Sequence, residues 1–278
     1  MQTDSLGIVV LAAGKGTRMK SAIPKVLHPL AAKPLLHHVL DSTTTLNAEA
    51  LWVIYGYQGE EVRNKTQTSY PHIVWIEQTE QKGTGHAVQQ ILPFCKNVDH
   101  VLVLYGDVPL LGHPNCHSDT LVRLMQADRS TPLHILTVVL ENPTGYGRIV
   151  RDTNGKIVRI VEEKDATAEQ KKIQEVNTGV MLVKRELLED VLPKLQPNNA
   201  QGELYLTDIV QAAAEKNLSV ASVHPSYEWE TWGVNSPEQL AVLERTLQQR
   251  LAIDCLQRGM RIADPARFDL RGTLEFGQ

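Results

Sequence analysis

The sequence has few cysteines, and this limits the roles they can play. Of 278 residues only Cys95, Cys116 and Cys255 are cysteine. They are odd in number, far apart and without CxxC spacing, which argues against a disulfide framework or a zinc knuckle. A chain of this length buries about 75% of its unfolded surface and needs no covalent staples. We therefore expect a protein of a reducing compartment, the cytoplasm.

An excess of positive charge and long apolar runs are missing too. Lys and Arg total 28 against 32 Asp and Glu, a net charge of −4, whereas proteins that attract nucleic acid are strongly basic. The apolar run over residues 6–13 is too short to cross a membrane, and its flanks do not resemble those of a signal peptide. We expect no nucleic-acid partner and no membrane insertion. With 42% hydrophobic and 22% charged residues, the composition is that of a folded soluble domain.

Short apolar segments alternate with helical patterns in the first half of the chain. The predicted strands cover residues 6–11, 51–55, 72–76 and 101–105. The predicted helices cover residues 34–46, 59–66 and 84–92. Strands joined by crossover helices indicate right-handed βαβ units, so the sequence predicts an α/β fold with a Rossmann-like, doubly wound and mostly parallel sheet.

The second half is less regular and predicts a smaller lobe. Strands are predicted at residues 135–140, 149–150, 157–158, 176–183 and 220–223, with a hairpin turn at Asn154-Gly155. A helix is predicted at residues 206–216. A capping box at Ser236–Gln239 starts a long helix whose apolar face is Leu240, Leu243, Leu247 and Leu251, and Gly259 ends it.

The segment after the first predicted strand is the most informative. Leu11 to Met19 reads LAAGKGTRM, and small residues there let backbone N–H groups cradle a phosphate. A dinucleotide fingerprint would need glycine in place of Met19, and Lys15-Gly16-Thr17 has the wrong order for a P-loop. Arg18 and Lys25 follow closely, and two cations beside such a loop suit a triphosphate. The alternative is a glycine turn with solvated basic residues.

Two further positions follow predicted strands. Asp107 comes directly after residues 101–105, where a lone carboxylate is typical of a magnesium ligand but could equally cap the strand end. Gln78 lies beyond the third strand, and its amide offers a donor and an acceptor to a pyrimidine edge. Asn235 by itself is a weak indication, because Asn-Ser-Pro also reads as a helix-start turn.

Further motifs occur in a fixed order along the chain. They are PKVLH from Pro24, QKGTGHA from Gln81, YGDVPL from Tyr105, PTGYGRI from Pro143, VEEKDA from Val161, EVNTG from Glu175 and GVN from Gly233. Together with the glycine loop, this order resembles the sugar-1-phosphate nucleotidylyltransferases. Within that family it is similar to the uridyltransferase part of the bacterial N-acetylglucosamine-1-phosphate uridyltransferases. The resemblance spans essentially the whole chain.

The resemblance implies a role for individual residues. It implies that Asp107 and Asn235 hold Mg²⁺, and that Arg18 and Lys25 act in catalysis by taking up phosphate charge. The implied substrate-binding residues are Leu11, Ala12, Ala13, Gly14, Lys25, Gln78, Gly83, Thr84, Tyr105, Gly106, Asp107, Gly147, Glu162, Asn177 and Asn235. Among them, Gln78 and Gly83 would read uracil against residues 11–13.

The resemblance implies a sugar pocket at Gly147, Glu162 and Asn177. Tyr205 and Thr207 are weaker candidates for binding the sugar or its phosphate. Glu162 could instead belong to a solvated charge run, and the resemblance decides for Glu162 with Glu163 as its exposed neighbour. His86 falls inside a helical pattern, which favours a structural or supporting role over that of a base. Trp229 and Trp232 are expected to pack rather than to stack on a ligand.

The implied reaction joins UTP to N-acetyl-α-D-glucosamine 1-phosphate in the supply of cell-wall and lipopolysaccharide precursors. Residues 1–235 would form the nucleotidylyltransferase domain. Residues 236–278 would form a linker helix and the start of a left-handed β-helix domain, whose hexapeptide repeats are not in this sequence. We therefore expect no acetyl transfer, and a family trimer weakened or lost.

Two alternatives stay open at this point. A nucleotidylyltransferase for another nucleotide or sugar 1-phosphate would keep the glycine loop but lose the sugar-pocket motifs. A non-catalytic regulatory protein of the same fold would have lost Arg18, Lys25 or Asp107, and all three are present.

Overall fold

The computed structural model describes residues 4–14 and 16–276, so Lys15 of the glycine loop lies outside the described residues. The described residues form eleven strands: β1 (Leu6–Leu11), β2 (Pro29–Leu30), β3 (Lys33–Pro34), β4 (Ala50–Tyr55), β5 (Val74–Glu77), β6 (His100–Tyr105), β7 (Leu133–Val139), β8 (Arg148–Arg151), β9 (Ile157–Val161), β10 (Glu175–Lys184) and β11 (Val220–Val223). They also form seven α-helices: α1 (Leu35–Thr43), α2 (Gly59–Thr66), α3 (Thr84–Gln89), α4 (Thr120–Met125), α5 (Arg185–Val191), α6 (Asp208–Glu215) and α7 (Pro237–Gln257).

The main sheet has the strand order β5-β4-β1-β6-β10-β7-β11. Strands β5, β4, β1 and β6 run parallel to one another, and β11 runs parallel to β7. Strand β10 lies between β6 and β7 in this order and is antiparallel to each of them. The predicted mostly parallel sheet is confirmed, and its first four strands alternate with helices as expected from their apolar sequences. Every residue of β1 is buried, as in a strand covered on both faces.

The predicted hairpin is also confirmed, and it extends the sheet. Strands β8 and β9 pair antiparallel, and their turn closes with a hydrogen bond from Asp152 N to Lys156 O of 2.9 Å. Strand β8 joins β10 at the pair Arg148–Val176. The hairpin therefore lies beside β10 and extends the sheet there.

The expectation that Glu163 is an exposed neighbour of Glu162 is wrong. Glu163 Oε2 accepts from Arg148 Nη2 at 2.6 Å and from Gly145 N at 3.3 Å. Arg148 is only 1% exposed, so its charge needs a partner at this place. The Arg148 hydrogen bond lowers the pKa of Glu163. Glu163 therefore stabilises the hairpin through Arg148 and is not part of a solvated charge run.

Several helices are shorter than the sequence predicts. The predicted helix 84–92 ends at Gln89, and the next amides bond three residues back, as in a tightened turn, with Ile91 N donating to Val88 O at 3.1 Å. Pro93 explains this because the residue before a proline is disfavoured in helical conformation. The predicted helices 34–46 and 206–216 are likewise observed as α1 and α6, each trimmed at its ends.

Helix α7 begins at the predicted cap, with one difference. Ser236 Oγ accepts from Gln239 N at 3.3 Å, but the Gln239 side chain accepts from Asn235 N at 2.7 Å rather than from the cap residue. The end is as predicted: Gly259 has φ of 95°, and Met260 N donates to Cys255 O at 2.9 Å, a Schellman closure. No helix in the described ranges is long and apolar enough to span a membrane.

The apolar face of α7 packs on the N-terminal part of the chain. Leu243, Leu247 and Leu251 are buried in one cluster with Met19 and with residues of the β2–α1 region. Leu240 of the predicted face is only partly buried. The division at residue 235 into two domains stays a prediction, and the helix that follows it shares a core with the residues that precede it.

Candidate active site

The register of β1 and β6 places two predicted motifs side by side. Leu11 lies opposite Tyr105 in adjacent parallel strands, so the glycine loop and the Gly106-Asp107 turn leave the same edge of the sheet. Gly106 N donates to Leu11 O at 3.0 Å. A Cβ on Gly106 would lie 3.3 Å from Val26 and from Leu36, so the turn is tightly packed. Carboxyl ends of parallel strands at such an edge are where open α/β sheets bind ligands.

A cavity of about 560 Å³ opens at this edge. Its lining contains most of the predicted site: Leu11, Ala12, Ala13, Gly14, Lys25, Gln78, Gly83, Thr84, Tyr105, Asp107 and Asn235. The lining also contains residues that the sequence did not indicate, namely Val26, Gln81, Ala87 and Glu203. Gln81 and Ala87 lie within a motif already recognised, whereas nothing in the sequence around Glu203 points to this cavity.

Lys25 holds the two predicted metal ligands together. Its ammonium forms an ion pair with Asp107 and donates to Oδ1 of Asn235 at 3.2 Å. Asn235 reaches the site because the preceding Val234 N donates to Asp107 O at 2.9 Å. The segment before α7 is thereby attached to the turn after β6. A carboxylate oxygen and an amide oxygen converge on one cation.

This donor set fits a divalent cation such as Mg²⁺. Magnesium favours oxygen ligands and commonly takes one or two from protein, completing its shell with waters and substrate phosphates. Asp107 and Asn235 supply two oxygens that already converge on a positive charge. Within residues 4–14 and 16–276, no group of three or more His, Cys, Asp or Glu side chains is arranged to hold a metal. A cation held here would therefore depend on substrate oxygens.

One wall of this cavity is built around the amide of Gln78. Gln78 is 3% exposed, and its Nε2 donates to Gly83 O at 3.1 Å and lies 3.1 Å from Nδ1 of His86. His86 thus contacts a predicted ligand-binding side chain, which agrees with the expected supporting role. Gly83 has φ of 106°, and a Cβ there would lie 2.5 Å from Leu204 O. Only glycine suits that position.

The loop that carries Thr84 is clamped by the segment before α6. Leu204 N donates to Lys82 O at 2.7 Å, and Gly85 N donates to Leu204 O at 2.8 Å. The hydroxyl of Thr84 accepts from Leu206 N at 3.1 Å. Thr84 lines the cavity and at the same time bonds this segment, so its hydroxyl already has a structural partner.

A second group of predicted residues forms beside β10. Asn177 N donates to Gly147 O at 2.8 Å, and a Cβ on Gly147 would lie 3.3 Å from both carboxylate oxygens of Glu162. Glu162 Oε1 accepts from the hydroxyl of Thr207 at 3.1 Å. Burial raises the pKa of Glu162, and the Thr207 hydrogen bond opposes that rise. The three predicted sugar residues and Thr207 therefore lie together, although they do not line the cavity of Lys25.

Tyr105 lines the Lys25 cavity and packs over Gly179 of β10. Burial raises the pKa of its phenol, and the carboxylates of Glu162 and Asp107 raise it further. A Cβ on Gly179 would lie 2.5 Å from the Tyr105 ring, so glycine at the bulge of β10 makes room for it. Tyr105 therefore feels the charge of both the Lys25 cavity and the Glu162 group.

Arg18 and Trp229 lie outside these groups, whereas Tyr205 lines a second cavity together with Glu162. Arg18 is exposed on the 3-10 turn Thr17–Met19 and is not part of the cavity lining. Tyr205 is buried and accepts from Gln201 Nε2 at 2.7 Å. Trp229 packs as expected: it is buried, stacks on Tyr227 and lies under the guanidinium of Arg250.

One protein family and several curated proteins are similar to this chain. Residues 8–168 match the family described as MobA-like NTP transferase domain. The chain is 52% identical over 273 residues to bifunctional protein GlmU of Paraburkholderia phymatum, covering 98% of this chain and 59% of that protein. The GlmU proteins of Dechloromonas aromatica and Acinetobacter baylyi are 52% and 49% identical, with 98% of this chain covered in each case. The chain spans about three fifths of the length of these curated relatives.

A solved structure shares the fold. UDP-glucose pyrophosphorylase complexed with UDP-glucose superposes with a TM-score of 0.70 and 17% identity, covering 88% of this chain and 98% of the other. At that identity the likeness concerns the fold alone, and it confirms the mixed, mostly parallel sheet. Since the family match covers more than half of the chain and includes the glycine loop and Asp107, this protein belongs to the family of MobA-like NTP transferase domains.

Proposed function

We propose that this protein transfers a uridylyl group from UTP to N-acetyl-α-D-glucosamine 1-phosphate, giving UDP-N-acetylglucosamine and pyrophosphate. The observation that carries the proposal is the convergence of Lys25, Asp107 and Asn235 in a cavity that also contains the amide of Gln78. Cation, carboxylate and base-reading amide lie together where a nucleoside triphosphate would bind. The similarity over nearly the whole chain to proteins named GlmU supports the same assignment.

In this reaction a phosphate oxygen of the sugar phosphate attacks the α-phosphorus of UTP. The new P–O bond forms as the bond to the β-phosphate bridging oxygen breaks, and pyrophosphate carries away the electron pair. The attacking oxygen is already ionised at neutral pH, so no general base is needed. The protein has to position two anions in line and neutralise their charge.

The side chains divide this work between them. Lys25 and Arg18 would neutralise the triphosphate as pyrophosphate departs, Gln78 and Gly83 would bind uracil, and Glu162 with Asn177 would bind the sugar. Leu11, Ala12, Ala13 and Gly14 would lie against the base and phosphates. Tyr105 would separate the nucleotide from the sugar.

Asp107 and Asn235 would hold Mg²⁺. When bound, the ion would draw off negative charge from the substrate phosphates and help to orient them. We expect no nucleic-acid substrate. That a family trimer is weakened or lost in this chain stays a prediction.

Pyrophosphate release tests the proposed function. The protein would be incubated with Mg²⁺ and each combination of UTP, CTP, GTP or ATP with N-acetylglucosamine 1-phosphate or glucose 1-phosphate. We expect fast release from UTP with N-acetylglucosamine 1-phosphate and slow release from the other pairs. A different preferred pair would reassign the substrate, and no release from any pair would favour a binding or regulatory protein of this fold.

A further inference from the structure

A short hydrogen-bonded chain supports the base-side wall of the cavity. The Nε2 atom of Gln78 donates to the carbonyl of Gly83 at 3.1 Å. The same nitrogen lies 3.1 Å from Nδ1 of His86. Because a carbonyl oxygen can only accept, Gly83 identifies this end of the amide as the NH₂ group. With 3% of Gln78 exposed, protein groups rather than bulk water decide its orientation.

His86 supplies the second acceptor for that NH₂ group. Since the nitrogen of Gln78 donates towards the ring, Nδ1 has to be unprotonated, and the neutral imidazole carries its proton on Nε2. The other ring nitrogen faces Gln90, with Nε2 to Nε2 at 3.3 Å. The same nitrogen of Gln90 donates to the backbone carbonyl of His86 at 3.0 Å, so it already has an acceptor. Because Gln90 is half-buried, its longer contact with the ring is the one that can be given up. The buried Gln78 has no such freedom while both of its bonds are intact.

This arrangement leaves Oε1 as the atom of Gln78 available to a ligand. Gln78 lines the cavity, and both hydrogens of its amide are engaged by Gly83 and His86. Oε1 is an acceptor. Uracil carries N3–H, a donor, at the position where cytosine carries an unprotonated, accepting nitrogen. A locked acceptor therefore suits uracil and opposes cytosine, because a buried polar group without a partner is costly.

We propose that His86 sets the preference for uracil over cytosine by locking the amide of Gln78. This inference rests on the proposed function, in which the nucleotide base lies against Gln78. His86 is a positioning residue: it acts through Gln78 and touches no substrate. Without an acceptor at Nδ1, the amide is held by the Gly83 carbonyl alone, so turning its oxygen end away from the base loses one hydrogen bond instead of two.

The test compares four proteins: the wild type, His86→Phe, His86→Asn and Gln90→Ala. Phenylalanine keeps the ring but has no acceptor, whereas Oδ1 of asparagine can take the place of Nδ1. Gln90→Ala removes the contacts of Gln90 with Nε2 and with the backbone carbonyl of His86 and leaves the contact between Nδ1 and Gln78 in place. For each protein, kcat and KM are measured with UTP and with CTP, at saturating N-acetylglucosamine 1-phosphate and Mg²⁺. Thermal unfolding of each variant checks that it is folded.

We expect His86→Phe to lower the UTP-to-CTP ratio of kcat/KM about tenfold, mainly through KM, the size expected from one hydrogen bond in a buried site. His86→Asn should restore most of the ratio, and Gln90→Ala should leave it at the wild-type value. A His86→Phe variant that weakens both nucleotides equally, with an unchanged ratio, would overturn the proposal. His86→Leu also lacks the acceptor and gives the same comparison if the phenylalanine ring does not fit.

Binding measurements separate this inference from the proposed reaction. Dissociation constants of UTP and CTP are determined by calorimetry for the same proteins, without sugar phosphate. If the wild type releases no pyrophosphate, the proposed reaction fails, but the ratio of the two dissociation constants still decides the role of His86. An unchanged binding ratio in His86→Phe would contradict that role even in an active enzyme.

Discussion

The ammonium of Lys25 donates to Oδ1 of Asn235 at 3.2 Å, although 210 positions separate the two residues in the chain. Asp107 pairs with the same ammonium. The segment after the glycine loop, the turn after β6 and the residue before the cap of α7 therefore meet at one positive charge.

Removing the carboxylate at the meeting point should abolish most of the activity. Asp107→Asn keeps the shape of the side chain and loses its charge, so we expect a kcat roughly 100-fold to 1,000-fold lower, the usual cost of removing one electrostatic contact to a transition state. Pyrophosphate release over a range of Mg²⁺ concentrations measures it. Glu60→Gln, an exposed change on α2, serves as the control. Near wild-type rates in Asp107→Asn would remove Asp107 from the metal site.

Arg18 has to be tested separately, because the structure leaves it exposed and outside the cavity lining. Its predicted contact with the triphosphate implies that Arg18→Gln raises KM for UTP and lowers kcat, together by roughly 10-fold to 100-fold in kcat/KM. Steady-state kinetics with UTP varied give both values. Arg261→Gln, another exposed arginine, should change neither. Equal kinetics for the two variants would show that Arg18 is only a solvated basic residue.

The two neighbouring glutamates should differ in what their removal affects. Glu162→Gln takes a charged acceptor from the Glu162 group, so we expect KM for the sugar phosphate to rise about 10-fold to 100-fold with little change in KM for UTP. Glu163→Gln weakens the pairing of buried Arg148 and should lower the thermal unfolding midpoint instead. Kinetics with each substrate varied, together with melting curves, distinguish them. If Glu162→Gln lowered the thermal unfolding midpoint as Glu163→Gln is expected to do, and left KM for the sugar phosphate unchanged, Glu162 would not be a sugar-binding residue.

A buried histidine pair should make stability depend on pH. Burial lowers the pKa of His38 to about 4 and that of His113 to about 3, and their rings lie 5.3 Å apart. Both pKa values fall below that of an unfolded histidine, so the unfolded chain binds more protons below pH 6.5. The free energy of unfolding should therefore fall as the pH drops below 6.5, by roughly 2 kcal/mol per histidine at pH 5.

Urea unfolding at several pH values measures this effect. His38→Gln retains a donor for Leu30 O, the partner of His38 Nε2 at 2.9 Å, and carries no titrating ring. We expect it to show a shallower loss of stability between pH 6.5 and pH 5 than the wild type. Parallel curves for the two proteins would mean that groups other than this pair produce the pH dependence.

Local patterns predicted much of the fold because the relevant information is local. The apolar run of β1, the small residues after it and the cap and glycine end of α7 are each encoded within a few neighbouring positions. The strand preceding Asp107 placed that carboxylate at the sheet edge in the same way. Even there, the ends of α1, α3 and α6 differed, since a helix end depends on the packing of its last turn as well as on sequence.

Other features depended on partners distant in the chain. Nothing local distinguishes Glu162 from Glu163, and buried Arg148 is what makes Glu163 structural. The ring of His86 contacts the amide of Gln78, which lies outside the helix that carries His86. Glu203 reaches the cavity because residues near it bond the loop around Thr84. These placements follow from contacts that a pattern within one segment does not record.

The sequence by itself determined the alternation of strands and helices, the run of small residues that follows the first strand and the polar residue types that follow the strands. Those depend on backbone preferences and on hydrophobic periodicity, which act over short stretches. Only the tertiary structure decided that Lys25, Asp107 and Asn235 share one point, that Thr207 bonds Glu162, and that the amide of Gln78 contacts Gly83 and His86. The first two require distant backbone segments to meet, and the order and register of the strands decide which ones do.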